Sequence, residues 1–465
     1  MTSLEELKQN LIAEIEKQVS DKILENENAV LLTKLIKNAD SEIEARNIAM
    51  LGTTYKRTGF YFNKKLEKIS DETYLVKNEE LSFKTSDNAI THKLIIGDNY
   101  PALQNLLISY KNKIKVIYID PPYGKDNKGK FAKTNYNNAI ARDNLLSSLY
   151  IRLKLARDLL KDDGVIFCSI DDKNQAYIKC LFDEIFGEEN FVSNAIWNSI
   201  SSVLKQSKFI RKEHEFILIY AKNKLNLNFN KLENSMEFQN PDNDPNGAWF
   251  SSNAASPNQK SQTNFFGIEL PNGEVCQRNW KFSYDEFING KVSLYFKGGN
   301  VPRLKIYEKD YDKNTAIQSS IFSNLGSITT AKTEIKKLFN AELFDTPKPL
   351  NLVKRILEIS TNNNDIVLDF YAGSGTTGHA VLELNKKDGG NRQFILCTNN
   401  ETTEINPNGI AYDVTSKRLK RIMTGECYDG TKPTEWLKNN EPYGDNLEVL
   451  EIKKLKHQIL KGVKC

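Results

Sequence analysis

Cysteine is scarce and dispersed. The six in 465 residues (Cys168, Cys180, Cys276, Cys397, Cys427 and Cys465) lie far apart, and no C-x-x-C pair occurs. That spacing argues against a disulfide framework and a zinc site, and predicts reduced thiols in a cytoplasmic setting. No apolar run approaches the roughly 18 residues needed to span a bilayer, so no membrane is expected. The charged, amphipathic N-terminus is unlike a signal peptide. Net charge is only +4, so any surface for nucleic acid has to come from local clustering rather than overall balance. No internal repeat is visible. What is present, 39% hydrophobic and 27% charged residues, suits a globular protein, and the length predicts two or three domains with ample core.

Two short segments carry the chemistry. The first is Asp120-Pro121-Pro122-Tyr123, directly after the apolar run Lys115-Val-Ile-Tyr-Ile-Asp120, which reads as a buried strand. Proline fixes φ and removes an N–H donor, so the Asp120 and Pro121 carbonyls can be held stiffly toward a ligand. The Asp120 carboxylate and the Pro121 carbonyl can accept both hydrogens of one amino group, while Tyr123 stacks on the ring that carries it. This is a site for an exocyclic amine on a planar base.

The second is Asp365-Ile-Val-Leu-Asp-Phe-Tyr-Ala-Gly-Ser-Gly-Thr-Thr-Gly-His-Ala-Val381. A short apolar strand ends in Asp369, and a glycine-rich turn opens a helix. Gly373 and Gly375 permit φ > 0 and close approach to a ligand, and the helix start offers free N–H groups. Gly373, Gly375 and Gly378 also satisfy G-x-G-x-x-G, so a dinucleotide-binding turn is a rival reading.

Around these segments the chain alternates. Residues 1–50 predict helices: Ser3 and Glu6 form a capping box, with Leu4, Leu7, Leu11, Ile15 and Val19 at helical spacing, then Ala29–Lys37 and Ser41–Met50. They fit either a layer over the core or an arm for dimerisation or a partner. Strands at Lys93–Asp98, Lys115–Asp120, Gly164–Asp171 and Glu215–Ala221 alternate with helices at Pro101–Tyr110, Asn144–Leu160 and Asn174–Phe186. That rhythm implies a parallel sheet covered on both faces. It fails between about residues 225 and 340, where Asn, Ser, Gly and Lys dominate. It returns with strands Ile366–Phe370 and Gln393–Thr398 among helices Pro347–Ile359, Ser374–Leu384 and Tyr412–Met423. The predicted organisation is a helical lead-in over 1–90, one half of an α/β domain over 91–224, an insert over 225–340, the second half over 341–425, and a tail over 426–465.

Asp120–Tyr123 resembles motif IV of the DNA amino-methyltransferases, which modify adenine N6 or cytosine N4. The Asp369–Ala380 stretch resembles motif I of S-adenosylmethionine-dependent methyltransferases, with Tyr371 where many relatives carry Phe. The order, catalytic motif first and cofactor motif after a divergent region, resembles the β class. Ser169-Ile-Asp-Asp172, Asn240-Pro-Asp-Asn-Asp-Pro245 and Phe394–Glu401 resemble modification subunits of type III restriction systems. The resemblance implies a Rossmann-like α/β sheet with circularly permuted motif order, an inserted target-recognition region and an N-terminal helical segment. It implies S-adenosylmethionine as cofactor, no metal, double-stranded DNA as substrate, and a restriction subunit and a homodimer as possible partners. Such subunits commonly run longer at the C-terminus than Cys465, so their dimer contacts and partner docking are not carried over.

By the same resemblance, Asp369 and the backbone of Tyr371, Ala372, Gly373, Ser374, Gly375 and Thr376 surround the cofactor. Glu401 ends the next strand, where an acid reaches ribose hydroxyls, and resembles motif II. Asp98 resembles motif III and would accept from the cofactor's adenine amine; its plainer role is a helix N-cap. Thr346-Pro-Lys-Pro349 resembles motif X, which places Thr346 and Lys348 beside the cofactor carboxylate. His379 is expected to pack. Lys125, Lys128, Lys130 and Lys133, on the loop after motif IV, suit phosphate contacts. Phe131 stands where a P-loop needs Ser or Thr, which rejects nucleotide hydrolysis.

Asp at position 120 favours adenine, with cytosine N4 the nearest alternative. No Pro-Cys pair supplies the nucleophile of a cytosine-C5 enzyme. A nicotinamide oxidoreductase leaves Asp120–Tyr123 unexplained, and an idle DNA-specificity subunit leaves both motifs without purpose. No helicase or nuclease module is visible, so cutting would require another polypeptide. Trp249, Trp280, Arg278 and Arg303, in the insert, are either core or base-reading.

Overall fold

The structure is a computed structural model, described for residues 4–20, 24, 26–54, 72–123, 142–200, 210–233, 236–257, 263–298, 301–313 and 316–455. Three helices come first: α1 (Leu4–Ser20), α2 (Asn26–Lys37) and α3 (Glu42–Thr54). They pack on one another around Ile15, Leu32 and Ile36, a small core of their own. The predicted apolar stripe of α1 accounts for this, with Leu7 and Ile15 buried and Leu11 and Val19 partly so.

The α/β rhythm then builds β1 (Thr73–Lys77), β2 (Thr91–Ile96), α4 (Asn99–Tyr110), β3 (Ile114–Ile119), α5 (Arg142–Leu159), β4 (Leu160–Ile170), α6 (Gln175–Phe186), β5 (Phe191–Asn198) and β6 (His214–Ala221). The insert holds β7 (Trp249–Asn253), β8 (Phe265–Glu269), β9 (Val275–Asn279), α7 (Tyr284–Ile288), β10 (Leu294–Lys297) and β11 (Val301–Tyr307). Next come β12 (Ile321–Phe322), α8 (Ile328–Phe339), α9 (Leu350–Ser360), β13 (Ile366–Asp369), α10 (Thr376–Asp388) and β14 (Gln393–Thr398). A π-helical turn (Ala411–Ser416) leads into α11 (Lys417–Thr424), followed by α12 (Thr434–Leu437) and β15 (Asn446–Lys454). Among the described residues no helix is long and apolar enough to cross a membrane.

Ten strands form one sheet in the order β1-β15-β2-β14-β13-β3-β4-β6-β5-β12. From β15 to β4 every pairing is parallel, and β6 runs antiparallel to both its neighbours. Parallel strands are buried on both faces and read as near-continuous apolar runs. β3, with all six residues buried, is the clearest case. Its side chains alternate. Val116 and Tyr118 face the core beneath α9, α10 and α11, whereas Ile117 and Ile119 face the core beneath α4, α5 and α6.

β3 and β13 lie side by side, Val116 opposite Val367 and Ile117 opposite Leu368. From β3 the chain crosses to β4 on one side, and from β13 to β14 on the other. That divergence opens a crevice beyond the two carboxyl ends, the usual ligand site of open α/β sheets.

Two expectations change. The segment 426–465, expected to be a tail, supplies β15 inside the sheet between β1 and β2. Its charges alternate with apolar residues, which hid a strand whose Leu447 and Val449 are buried. The insert is narrower than 225–340. Leu227, Phe229 and Leu232 on one side and Phe322, Ile328 and Leu338 on the other join the main core, and a Leu232–Ala316 bridge closes the neck. Within the insert, Trp280 is core, 1% exposed, with its indole donating to the Phe266 carbonyl at 2.8 Å. Trp249 is also buried and donates to Asp242. Arg303 is tied to Ser251, and Arg278 is exposed on β9.

β15 buries two apolar side chains and half-buries two more, each worth about 1.5–3 kcal/mol when fully buried. Total stability is typically about 5–15 kcal/mol. A chain ended at Asp445 is therefore expected to lose cooperative thermal unfolding in near-ultraviolet circular dichroism. A retained sharp transition would show that the strand is dispensable.

Candidate active site

Asp120 leaves the end of β3 into a cleft of about 410 Å³, which the Asp369–Thr377 turn and Glu401 also line. Its Oδ1 accepts from the Tyr123 hydroxyl at 2.7 Å and from the Lys348 ammonium at 2.9 Å. Lys348 Nζ also donates to Tyr123 Oη at 2.9 Å and to Glu215 Oε2 at 3.0 Å. Asn174, at the start of α6, donates to the Tyr123 carbonyl at 2.8 Å. Burial raises the Asp120 carboxyl above its ordinary range and the Lys348 charge opposes that rise, although a quarter of the Asp120 side chain is exposed. The Lys348 ammonium is held above its ordinary value by Asp120 and Glu215, against the cost of burial.

The cofactor end is built from three strand ends. After β13, Asp369 accepts from the Tyr371 amide at 2.9 Å and from Thr377 at 2.6 Å. Gly373 (φ 47°) and Gly375 (φ 79°) take left-handed backbone, which glycine adopts without a side-chain penalty. A Cβ on Gly373 would also sit 3.0 Å from the Phe344 ring. Arg418, buried beneath the turn, donates to Ser374 Oγ at 3.2 Å and Thr376 Oγ1 at 2.9 Å. Its other end meets His379 Nδ1, so that nitrogen accepts, and Nε2 faces Tyr443. Burial and the Arg418 charge keep His379 neutral, a packing role. Thr415, in the π-turn, donates to the Gly373 carbonyl; such turns favour functional sites.

After β2, Asp98 caps α4 through the Tyr100 amide at 2.7 Å and pairs with Arg152 at 2.9 Å, both bonds on Oδ1. Asn99 donates to the Phe370 carbonyl at 2.8 Å. After β14, the half-buried Glu401 carboxyl is raised by burial alone, and no hydrogen bond reaches it among the described residues.

Asp120, Pro121, Pro122, Tyr123, Asp98, Thr346, Lys348, Asp369, Tyr371, Ala372, Gly373, Ser374, Thr376 and Glu401 therefore line one cleft, and Gly375 sits behind it as the N-cap of α10. Lys125, Lys128, Lys130 and Lys133 lie outside the described residues. Lys348, which the resemblance sets beside a cofactor carboxylate, donates at the Asp120 end of the cleft, where Asp120, Tyr123 and Glu215 accept from it. Glu215, Asn99, Arg152, Asn174 and Arg418 carry the site's hydrogen bonds and were not foreseen. Of these only Glu215 gave a signal, a carboxylate heading the apolar run of β6.

A family model described as DNA methylase, covering the N6 and N4 enzymes, matches residues 114–413. The chain belongs to that family. A model for uncharacterised conserved proteins matches residues 8–116. The StyLTI Mod subunit, from a type III restriction-modification enzyme of Salmonella typhimurium, is 33% identical over 77% of this chain and 60% of its own length. The EcoPI Mod subunit, of Escherichia phage P1, is 29% identical over 84% of this chain and 70% of its own length. Among solved structures, the M1.HpyAVI–SAM complex is 18% identical with a TM-score of 0.32, over 66% of this chain and 94% of that one. The chain thus spans about three fifths of the Salmonella relative.

Burial pushes the Asp369 carboxyl up to about 7, against its bonds to Thr377 and Tyr371. Unfolded, it returns to its ordinary 3.8. Between those values the folded state holds a proton that the unfolded state releases, so stability falls as pH rises from about 4 to 7. In ligand-free protein, Asp369→Asn should match wild type near pH 4 and exceed it by about 2–4 kcal/mol at pH 8. Urea unfolding at both pH values checks this, and a pH-independent difference would contradict it.

Proposed function

We propose that this methylase transfers a methyl group from S-adenosylmethionine to adenine N6 in double-stranded DNA, as the modification component of a restriction-modification system. The observation that carries the reading is Asp120 held on one oxygen by Lys348 and Tyr123, in the same cleft as the glycine turn. Family membership over residues 114–413 and likeness to type III Mod subunits support it.

The residues present fit the cofactor. The glycine turn lets backbone approach closely, Glu401 offers ribose hydroxyls a carboxylate that no described residue bonds, and Asp98 Oδ2, likewise unbonded among the described residues, is available to an adenine amine. Bound there, S-adenosylmethionine supplies an electrophilic methyl on a sulfonium. The chain's own work is on the nucleophile. The amine lone pair of adenine N6 is delocalised into the ring and reacts poorly. Asp120 Oδ2 and the Pro121 carbonyl accept its two hydrogens, favour a tetrahedral nitrogen and stabilise the positive charge that grows there. Asp120 is within reach to take the released proton. The target atom is inside the duplex, so the base must be flipped out, and Tyr123 returns stacking worth about 1–3 kcal/mol. Lys125, Lys128, Lys130 and Lys133 hold backbone phosphates, and a restriction subunit is the expected protein partner.

Methylome sequencing of DNA from a methylation-free host expressing the chain tests the reaction. N6-methyladenine in one short motif is expected, and Asp120→Ala should lower transfer by at least about 10²-fold. N4-methylcytosine would move the base and keep the chemistry; no modified base with good expression would reject autonomous activity. Replacing the four loop lysines with glutamine should weaken DNA binding without changing the motif. The slope of log K against log salt should flatten by about 0.9 for each phosphate that is no longer neutralised, and an unchanged slope would remove the loop from the DNA interface.

A further inference from the structure

Glu215 belongs to no motif read from the sequence, yet it completes the cluster around Asp120. Its Oε2 lies 3.0 Å from Lys348 Nζ and 3.2 Å from the Tyr123 hydroxyl, and the residue is 8% exposed. Lys348, equally buried, is 2.9 Å from Asp120 Oδ1. One ammonium is thus divided between two carboxylates carried by separate elements: the end of β3 and the body of β6, with Lys348 on the approach to α9. A lone Lys348–Asp120 pair would commit that ammonium to one carboxylate; Glu215 gives it a second acceptor, and buried charge clusters of this kind concentrate at functional sites.

We propose that Glu215 is a positioning residue for methyl transfer, drawing Lys348 partly onto itself so that Asp120 remains a strong hydrogen-bond acceptor for the target amine. This rests on the role of Asp120 proposed above. An ammonium committed wholly to Asp120 would spread over that carboxylate and weaken it as an acceptor; sharing it, and facing Asp120 with a like charge, has the reverse effect. Among the described residues both bonds to Asp120 fall on Oδ1, which leaves Oδ2 for the amine.

The other titratable groups near Asp120 are Tyr118 and Tyr123 from its own segment, Cys168 on β4 and Asp369 on β13. Burial raises both tyrosines and the Cys168 thiol, so all three are neutral. Asp369 is a carboxyl pushed up to about 7. Below that value, among the described residues, Lys348 and Glu215 set the field on Asp120.

The test is a direct titration of Asp120 in the full chain. Protein labelled with ¹³C at aspartate carboxyls gives its resonance, assigned by its disappearance in Asp120→Asn. Glu215→Gln should move the Asp120 midpoint down by about one pH unit and Lys348→Met should move it up by at least as much, while Glu215→Asp restores the wild-type value. In methyl transfer, Glu215→Gln should lower kcat about tenfold with KM for DNA little changed. An unmoved midpoint in a folded Glu215→Gln protein, or shifts of the same sign in both variants, would overturn the inference. The expected shifts without any methyl transfer by the wild-type chain would overturn the functional reading instead, and with it the catalytic purpose of Glu215.

Discussion

Everything in the cleft depends on the parallel pairing of β3 with β13. The two strands come from distant parts of the chain, with the whole insert between them, and they meet through Val116, Ile117, Val367 and Leu368. That register brings Asp120 and Asp369 out at the same edge. Because side-chain direction alternates along a strand, a slip of one residue would turn each apolar side chain to the opposite core. Both faces here are buried under helices, which pins the register. The crevice then follows from topology: helices leave the two strand ends in opposite directions and cannot cover the gap between them.

The two ends of the cleft handle buried charge differently. At the Asp120 end a cation is built in, and Lys348 holds two carboxylates together. At the Asp369 end the described residues supply none. Among them its carboxyl meets a hydroxyl and a backbone amide, which do not offset desolvation. The cation nearest the glycine turn, Arg418, spends itself on Ser374, Thr376 and His379. It shapes the turn from beneath and leaves the carboxyl uncompensated. A carboxyl left that way gains most from a ligand that donates hydrogen bonds or carries positive charge.

Both motifs were legible because their chemistry is local. A run of apolar residues ending in Asp, followed by proline or glycine, identifies a strand end and the turn beyond it whatever the rest of the chain does. The resemblance of Thr346–Pro349 to motif X brought Lys348 into the site but could not show its contact with Asp120, which is made across elements from a segment that Pro347 and Pro349 stiffen. Glu215, Asn99 and Arg152 act across elements, and no spacing in the sequence encodes such pairings. β15 escaped notice because half of its residues are charged or polar. One edge of it meets β1 and the other β2, while Leu447 and Val449 enter one core and Leu450 and Ile452 pack on the other.

The insert raises a separate constraint on where recognition can reside. Four of its residues looked equally able to pack or to read bases, and residue type alone could not separate them. The fold uses three. Trp280 fills the small core with Ile268 and Phe282. Trp249 lies under Lys305, which Asp242 and Asp244 clamp from the preceding loop. Arg303 holds neighbouring β7 through Ser251. Only Arg278 projects from an exposed strand. Any sequence reading by this region has to come from exposed positions of that kind. Since a two-bond neck at Leu232 and Ala316 joins the insert to the sheet, those positions can change without disturbing the two cores that align Asp120 with Asp369.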